Sequence, residues 1–152
     1  PDTGVYHPRM AKRISDKASD LPAEGGAQGT VGLLLMRSYL LAKNTNHYDG
    51  VIAALEARGL KVVPAFACGL DARPAIEQFF KDAQGNATVD AVVSLTGFSL
   101  VGGPAYNDSK AAAEILASLD VPYVAAHALE FQTIERWAAS DRGLMPIEAT
   151  MM

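Results

Sequence analysis

The chain has 152 residues, of which 49% are hydrophobic and 20% charged, with a formal net charge of -4. That is enough chain for one domain with its own core, and the composition fits a soluble globular protein. The negative balance excludes a general affinity for nucleic acid, and no apolar run approaches the roughly 20 residues that span a bilayer.

Cys68 is the only cysteine, which excludes a disulfide framework and favours a reducing compartment. No signal peptide is visible. The chain opens at Pro1 and closes at Met151-Met152, directly after a strand-like stretch at 146–150. A piece of a longer polypeptide is expected. Residues 1–29 carry Pro8, Pro22, Gly25, Gly26 and Gly29 among scattered charges and show no periodicity, so they read as an irregular entry segment or linker. Arg9, Lys12 and Arg13 there make either a local basic patch or a solvated tail.

From residue 30 the pattern alternates, and a second unit over 30–152 is expected. Residues 30–36 are an unbroken apolar run, as in a parallel strand buried on both faces. A helix over 47–58 carries Tyr48, Val51, Ile52 and Leu55 on one stripe and stops at Gly59. A second strand spans 60–67. A second helix spans 73–83, with Pro74 in its first turn and Ile76, Phe79 and Phe80 inward. A third strand spans 89–95. A third helix over 107–119 is capped by Asn107 or Asp108 and turns Ala112, Ile115, Leu116 and Leu119 inward. A fourth strand spans 121–126, and a fourth helix spans 133–140 with Ile134, Trp137 and Ala138 inward. A fifth strand is expected near Ile147.

Strict β-α alternation predicts an α/β fold: a flavodoxin-like, doubly wound parallel sheet in three layers. Pro64 lacks a ladder donor, so it favours an order that puts the second strand at an edge. That order is 2-1-3-4-5, rather than 3-2-1-4-5-6.

Two connections exceed the usual 2 to 6 residues: 37–46 after the first strand and 96–106 after the third. In the order 2-1-3-4-5 these strands are neighbours, and ligands bind in the crevice between them. The first loop offers Arg37, Tyr39, Lys43, Asn44 and His47. Arg37 can pair a carboxylate in bidentate fashion or make a rim salt bridge. The second loop offers Thr96 and Gly97, where a ligand can approach the backbone, and Phe98, which can stack on a flat ring. His47, His127 and Glu130 are the candidate proton-transfer groups. A satisfied rim histidine and a helix-capping carboxylate are the competing readings. No HxxxH or CxxC spacing supports a fixed metal site, and no Walker or dinucleotide glycine pattern is present.

The stretch RSYLLAKNTNHYDGVIAALEARGLKVVPAFACGLD resembles the large (H) subunits of magnesium chelatase and the related large subunits of cobaltochelatase. DTGVYHP, VDAVVSLTGFSLVGGPAYND and LDVPYVAAHALEFQTIERWAASDRGLMPIEATM are similar too, so the resemblance covers most of the chain. The bacteriochlorophyll-type enzyme is the nearest in pattern. The resemblance implies one internal domain of a very large subunit that binds protoporphyrin IX and inserts Mg²⁺ as substrate ion. It implies ATP hydrolysis by partner subunits, an AAA+ ATPase and its companion. It further implies a nitrogen-metal ligase of the cytoplasm or of the photosynthetic membrane's periphery, with the isolated piece inactive. A scaffold or docking domain within that subunit is the alternative.

Overall fold

The computed structural model describes residues 1–23, 28–103, 106–129 and 131–151. In chain order the elements are β1 (Thr3–Tyr6), β2 (Ile14–Ser15), β3 (Thr30–Met36), α1 (Arg37–Leu41), α2 (Asn46–Glu56), β4 (Lys61–Ala67) and α3 (Arg73–Phe79). They continue with β5 (Ala91–Ser94), β6 (Gly102–Gly103), β7 (Tyr106–Asn107), α4 (Ser109–Leu119), β8 (Tyr123–Ala125), α5 (Ile134–Ala138) and α6 (Pro146–Met151). Six strands form one sheet in the order β2-β1-β4-β3-β5-β8, while β6 and β7 pair as a separate hairpin.

The four predicted parallel strands are β3, β4, β5 and β8. They lie in the expected relative order, second-first-third-fourth, with all three pairings parallel. The β3–β4 ladder is the longest, from Thr30↔Lys61 to Met36↔Ala67. Side chains alternate across a strand, so β3 serves two cores at once. Val31, Leu33 and Leu35 pack with Leu40, Tyr48 and Ile52 of α1 and α2. Leu34 joins Ala75, Ile76 and Phe79 of α3, Phe80, and Ile115 and Leu119 of α4. Helices on both faces make the three-layer α/β sandwich. Each fully buried aliphatic or aromatic side chain contributes about 1.5–3 kcal/mol of transfer free energy.

Glycine is required at one place in this core. A Cβ built on Gly32 would lie 2.7 Å from the Phe80 ring, so the strand can seat that ring only without a side chain. Caps fall near their predicted places. Asp108 accepts from the Ala111 N–H at 2.9 Å and starts α4, and Gly59 turns the chain after α2 with φ +77°.

Five expectations need correction. The entry segment is not irregular throughout, because Thr3–Tyr6 and Ile14–Ser15 extend the sheet. Pro64 is consequently not on an edge: β1 lies antiparallel on β4's outer side. The β1–β4 ladder nevertheless runs only from Thr3↔Ala67 to Val5↔Ala65 and ends one residue short of Pro64, where the missing donor is harmless. The connection after β3 is not a loop, since Arg37–Leu41 coils at once into α1. No strand forms near Ile147; Pro146 instead opens the short helix α6, for which proline's fixed φ is suited. Finally, Ile134 and Trp137 of α5 are exposed by 67% and 47%, so this helix does not bury its apolar side in the sheet core.

The segment after β8 is held by polar groups. Buried Gln132 donates to the Gly143 carbonyl at 3.1 Å and accepts from the Met145 N–H at 2.8 Å. Buried Glu148 accepts the backbone N–H groups of Phe131 and Gln132. No helix among the described residues is long and apolar enough to cross a membrane.

Candidate functional site

The crevice at the carboxyl ends of β3, β4 and β5 is where a parallel sheet is expected to bind a ligand. Here it is almost closed. Leu34, Met36, Ala67, Leu70, Thr96 and Phe98 surround a space of about 20 Å³, close to the size of one water molecule. Thr96 is bound locally: its Oγ1 lies 3.0 Å from Ser94 Oγ and accepts the Phe98 N–H at 3.3 Å. The long connection after β5 thus fills the crevice with its own turn. Asp71 and Val101 bridge across it, and Arg73 clamps Asp71 with a 2.6 Å ion pair. That guanidinium's hydrogen bond holds the Asp71 carboxyl below its ordinary value.

A larger opening lies where the start of α2 meets the segment after β8. His47, His127, Leu129, Glu135, Trp137 and Leu144 are among the residues that line a cleft of about 710 Å³. This volume lies in the range of small-molecule sites, and its mixture of apolar walls with few polar groups is typical of them. Two of the three predicted proton-transfer residues are therefore brought together. Glu130, the third, lies outside the described residues.

Local structure explains how each side chain is set. His47 stands in the first turn of α2 and is packed by two tyrosines. Its ring lies 4.0 Å from that of Tyr48 and 5.3 Å, edge-on, from that of Tyr39. Tyr48 is itself anchored, since its hydroxyl accepts the Met36 N–H at 3.1 Å. The end of β3 therefore fixes Tyr48, and Tyr48 fixes the imidazole. His127 follows β8, whose path is continued by the 2.9 Å bond from Ala126 N–H to the Ser94 carbonyl. A Cβ on Gly97 would come within 3.9 Å of His127 Nδ1, so the β5 connection borders the same imidazole.

Glu135 was missed from sequence, and it is the carboxylate of this cleft among the described residues. It sits in the first turn of α5 behind the Thr133 cap, whose Oγ1 accepts the Arg136 N–H at 3.2 Å. Hydrogen bonds from its own backbone N–H and from the Thr133 hydroxyl hold its carboxyl below the ordinary glutamate value, keeping it ionised at neutral pH. The Thr133-Ile134-Glu135 cap was the legible signal. Trp137 and Leu144 were not expected here either; the helical stripe that includes Trp137 suggested a core position.

The other predicted residues disperse. Tyr39 reaches the cleft only through its contact with His47. Arg37 Nε donates to the Pro1 carbonyl at 3.0 Å. Lys43 lines a different pocket with Lys12 and Arg13. Asn44 closes the α1–α2 turn through its backbone N–H, 3.0 Å from the Tyr39 carbonyl. No group of three or more His, Cys, Asp or Glu side chains suited to a metal occurs among the described residues. The cleft can accept protons and enclose a flat apolar body; it does not form a closed metal cage.

Comparison with known proteins gives this geometry a context. The chain is 60% identical over 152 residues to the magnesium-chelatase large (H) subunit of Cereibacter sphaeroides, covering 100% of this chain and 13% of that protein. It is 55% identical over 152 residues to the corresponding protein of Rhodobacter capsulatus, covering 12% of it. The chloroplastic magnesium-chelatase subunit ChlH of Oryza sativa subsp. indica is 41% identical over 162 aligned residues, with 99% of this chain and 12% of that protein covered. The chain thus spans about one eighth of the length of these curated relatives. Among solved structures, the catalytic subunit of cobaltochelatase from Mycobacterium tuberculosis superimposes with a TM-score of 0.65 over 97% of this chain and 11% of that one, at 24% identity, which supports the fold. A family model described as CobN/Magnesium Chelatase matches residues 1–152 from end to end, and the chain belongs to that family.

Proposed function

We propose that this chain is one wall of the tetrapyrrole site in the large subunit of a magnesium chelatase, which inserts Mg²⁺ into protoporphyrin IX. The observation that carries this is the pairing of His47 and His127 in one apolar cleft with Trp137 and Leu144. Metallation replaces two pyrrole N–H protons by one divalent ion, so the reaction releases two protons. Two imidazoles bordering one cleft are suited to accept them. Ionised Glu135 offers a counter-charge to the arriving cation, and Trp137 offers a face for the macrocycle. ATP hydrolysis falls to partner subunits, an AAA+ ATPase and its companion, and the assembly works in the cytoplasm or at the periphery of the photosynthetic membrane. The isolated chain is inactive, because other domains of the large subunit supply the remaining walls.

Binding is tested by titrating the chain with protoporphyrin IX and following fluorescence of Trp137, the only tryptophan. Quenching with a Soret shift is expected. In the full-length protein, His47→Ala with His127→Ala is expected to lower turnover more than affinity. Normal turnover by that double variant refutes the proton-acceptor role.

A second reading, a scaffold or docking domain within the large subunit, is favoured by a different observation. Exposed apolar groups continue beyond the cleft at Phe131 (55%) and Ile147 (47%). Unchanged Trp137 emission on titration, with tight association to the remaining domains, selects this reading.

A further inference from the structure

A second pocket, sharing no lining residue with the cleft, opens on the other side of the start of α2. Tyr6, Lys12, Arg13, Ile14, Leu40, Lys43 and Thr45 enclose about 500 Å³. Its floor is apolar, made by the Leu40 and Ile14 side chains and the ring of buried Tyr6. Three cations come to it from two distant parts of the sequence: Lys12 and Arg13 before β2, and Lys43 in the α1–α2 turn. In a chain of net charge -4, three cations at one opening are a local reversal of sign.

The cations differ in how they are held. Arg13 is fixed at the pocket wall, with Nη1 3.4 Å from Thr45 Oγ1, 3.5 Å from the Tyr6 hydroxyl and 3.7 Å from Asp49 Oδ2. Asp49 also accepts from the Tyr6 hydroxyl and the Thr45 hydroxyl, so its charge is answered there. Neither Lys12 nor Lys43 has an ion-pair partner among the described residues, and no acidic side chain lines the pocket. Lys43 also occupies the left-handed region at φ 58°, a conformation that costs a lysine roughly 1 kcal/mol and that the turn imposes.

We propose that this pocket binds a carboxylate carried on an apolar body. The two lysine ammoniums and Arg13 meet the carboxylate, and Ile14, Leu40 and the Tyr6 ring cover the hydrocarbon. A bare inorganic anion would leave that floor wet, and a neutral apolar molecule would leave the two lysines without a counter-charge. The inference does not depend on the tetrapyrrole reading of the cleft.

The test is calorimetric titration of the 152-residue chain with 2-naphthoate, with neutral 2-naphthalenemethanol and with inorganic phosphate. Expected is saturable binding of 2-naphthoate that weakens with added salt, and much weaker binding of the other two. Lys12→Met and Lys43→Met are each expected to weaken 2-naphthoate about threefold, and together about tenfold, as for partly exposed charge pairs. Lys110→Met, on α4 and outside the pocket, is expected to leave binding unchanged. Amide shifts on titration should centre on Ile14, Leu40 and Lys43. The proposal is overturned by equal affinity for the alcohol, by equal affinity for phosphate, or by a double variant that binds like the parent. Shifts centred on Trp137 and Leu144 also overturn it, since they would assign the ligand to the cleft instead.

Discussion

The sheet and the segment after it are stabilised in opposite ways. Between β3 and β4 the chain buries apolar side chains on both faces, and Leu33, Leu34, Ile52, Ile76 and Phe80 are all at most 1% exposed. After β8 the apolar side chains Phe131, Ile134, Trp137 and Ile147 face outward, while the polar side chains Gln132 and Glu148 are buried. One region is held by packing, which is non-directional and cumulative. The other is held by a few directional bonds to backbone groups, each with much to lose. Packing gives the sheet a fixed shape. The polar pins give the outer segment a shape while leaving its apolar surface available to something else, and this is the region that lines the larger cleft.

The contrast can be broken most strongly in the core. Phe80→Ala removes the ring that fills the space over Gly32 and is expected to cost about 3–5 kcal/mol, read from urea unfolding. A loss below about 1 kcal/mol would show that the packed region is not the stability centre. Next comes Glu148→Ala, which leaves the Phe131 and Gln132 N–H groups without their acceptor. Roughly 1–3 kcal/mol is expected, confined to the outer segment. Trp137 emission should change at a lower urea concentration than the far-ultraviolet signal; coincident transitions would mean that the two regions are one cooperative unit.

A pH experiment sharpens the same division. The Asp71 carboxyl is held below its ordinary 3.8 by hydrogen bonds from Arg73, so its native form binds a proton less readily than its unfolded form. The stability it contributes is therefore complete above 3.8 and is lost as pH falls through the lower native value. Asp71→Asn is expected to flatten the acid side of the stability curve. An unchanged acid limb would remove this clamp from the list of contributors. At the small end, Lys110→Ala breaks only the 3.9 Å pair to Glu114 between two largely exposed side chains. The change in urea midpoint should correspond to under about 0.5 kcal/mol.

Sequence patterning carried the inner sheet well. Unbroken apolar runs and helical stripes with good stops located β3, β4, α2, α3 and α4, because in each the period and the burial agree. The same rule misplaced α5. Ile134 and Trp137 make an apolar stripe at helical spacing, and spacing alone does not say whether a stripe meets a core, a ligand or another domain. β1 escaped because four residues, Thr3–Tyr6, are too few to show a period, and their pairing depends on a strand some 60 positions away. The site was legible in its histidines and not in its location. Loop length pointed to the sheet's crevice, but the connection after β5 is long because it folds back through Ser94, Thr96 and Phe98 to fill that crevice. The two histidines meet further out, through a contact that depends on how β8 and α2 are placed in three dimensions.

Gly32 and Phe80 have a consequence for how this domain can diverge. The ring occupies the space a side chain at position 32 would need, so neither residue changes freely while the other stands. Among descendants of this sequence, a larger residue at position 32 should appear only beside a smaller one at position 80. A pair separated by nearly fifty positions would then drift as a single heritable unit, which an alignment of homologues would reveal as correlated substitution.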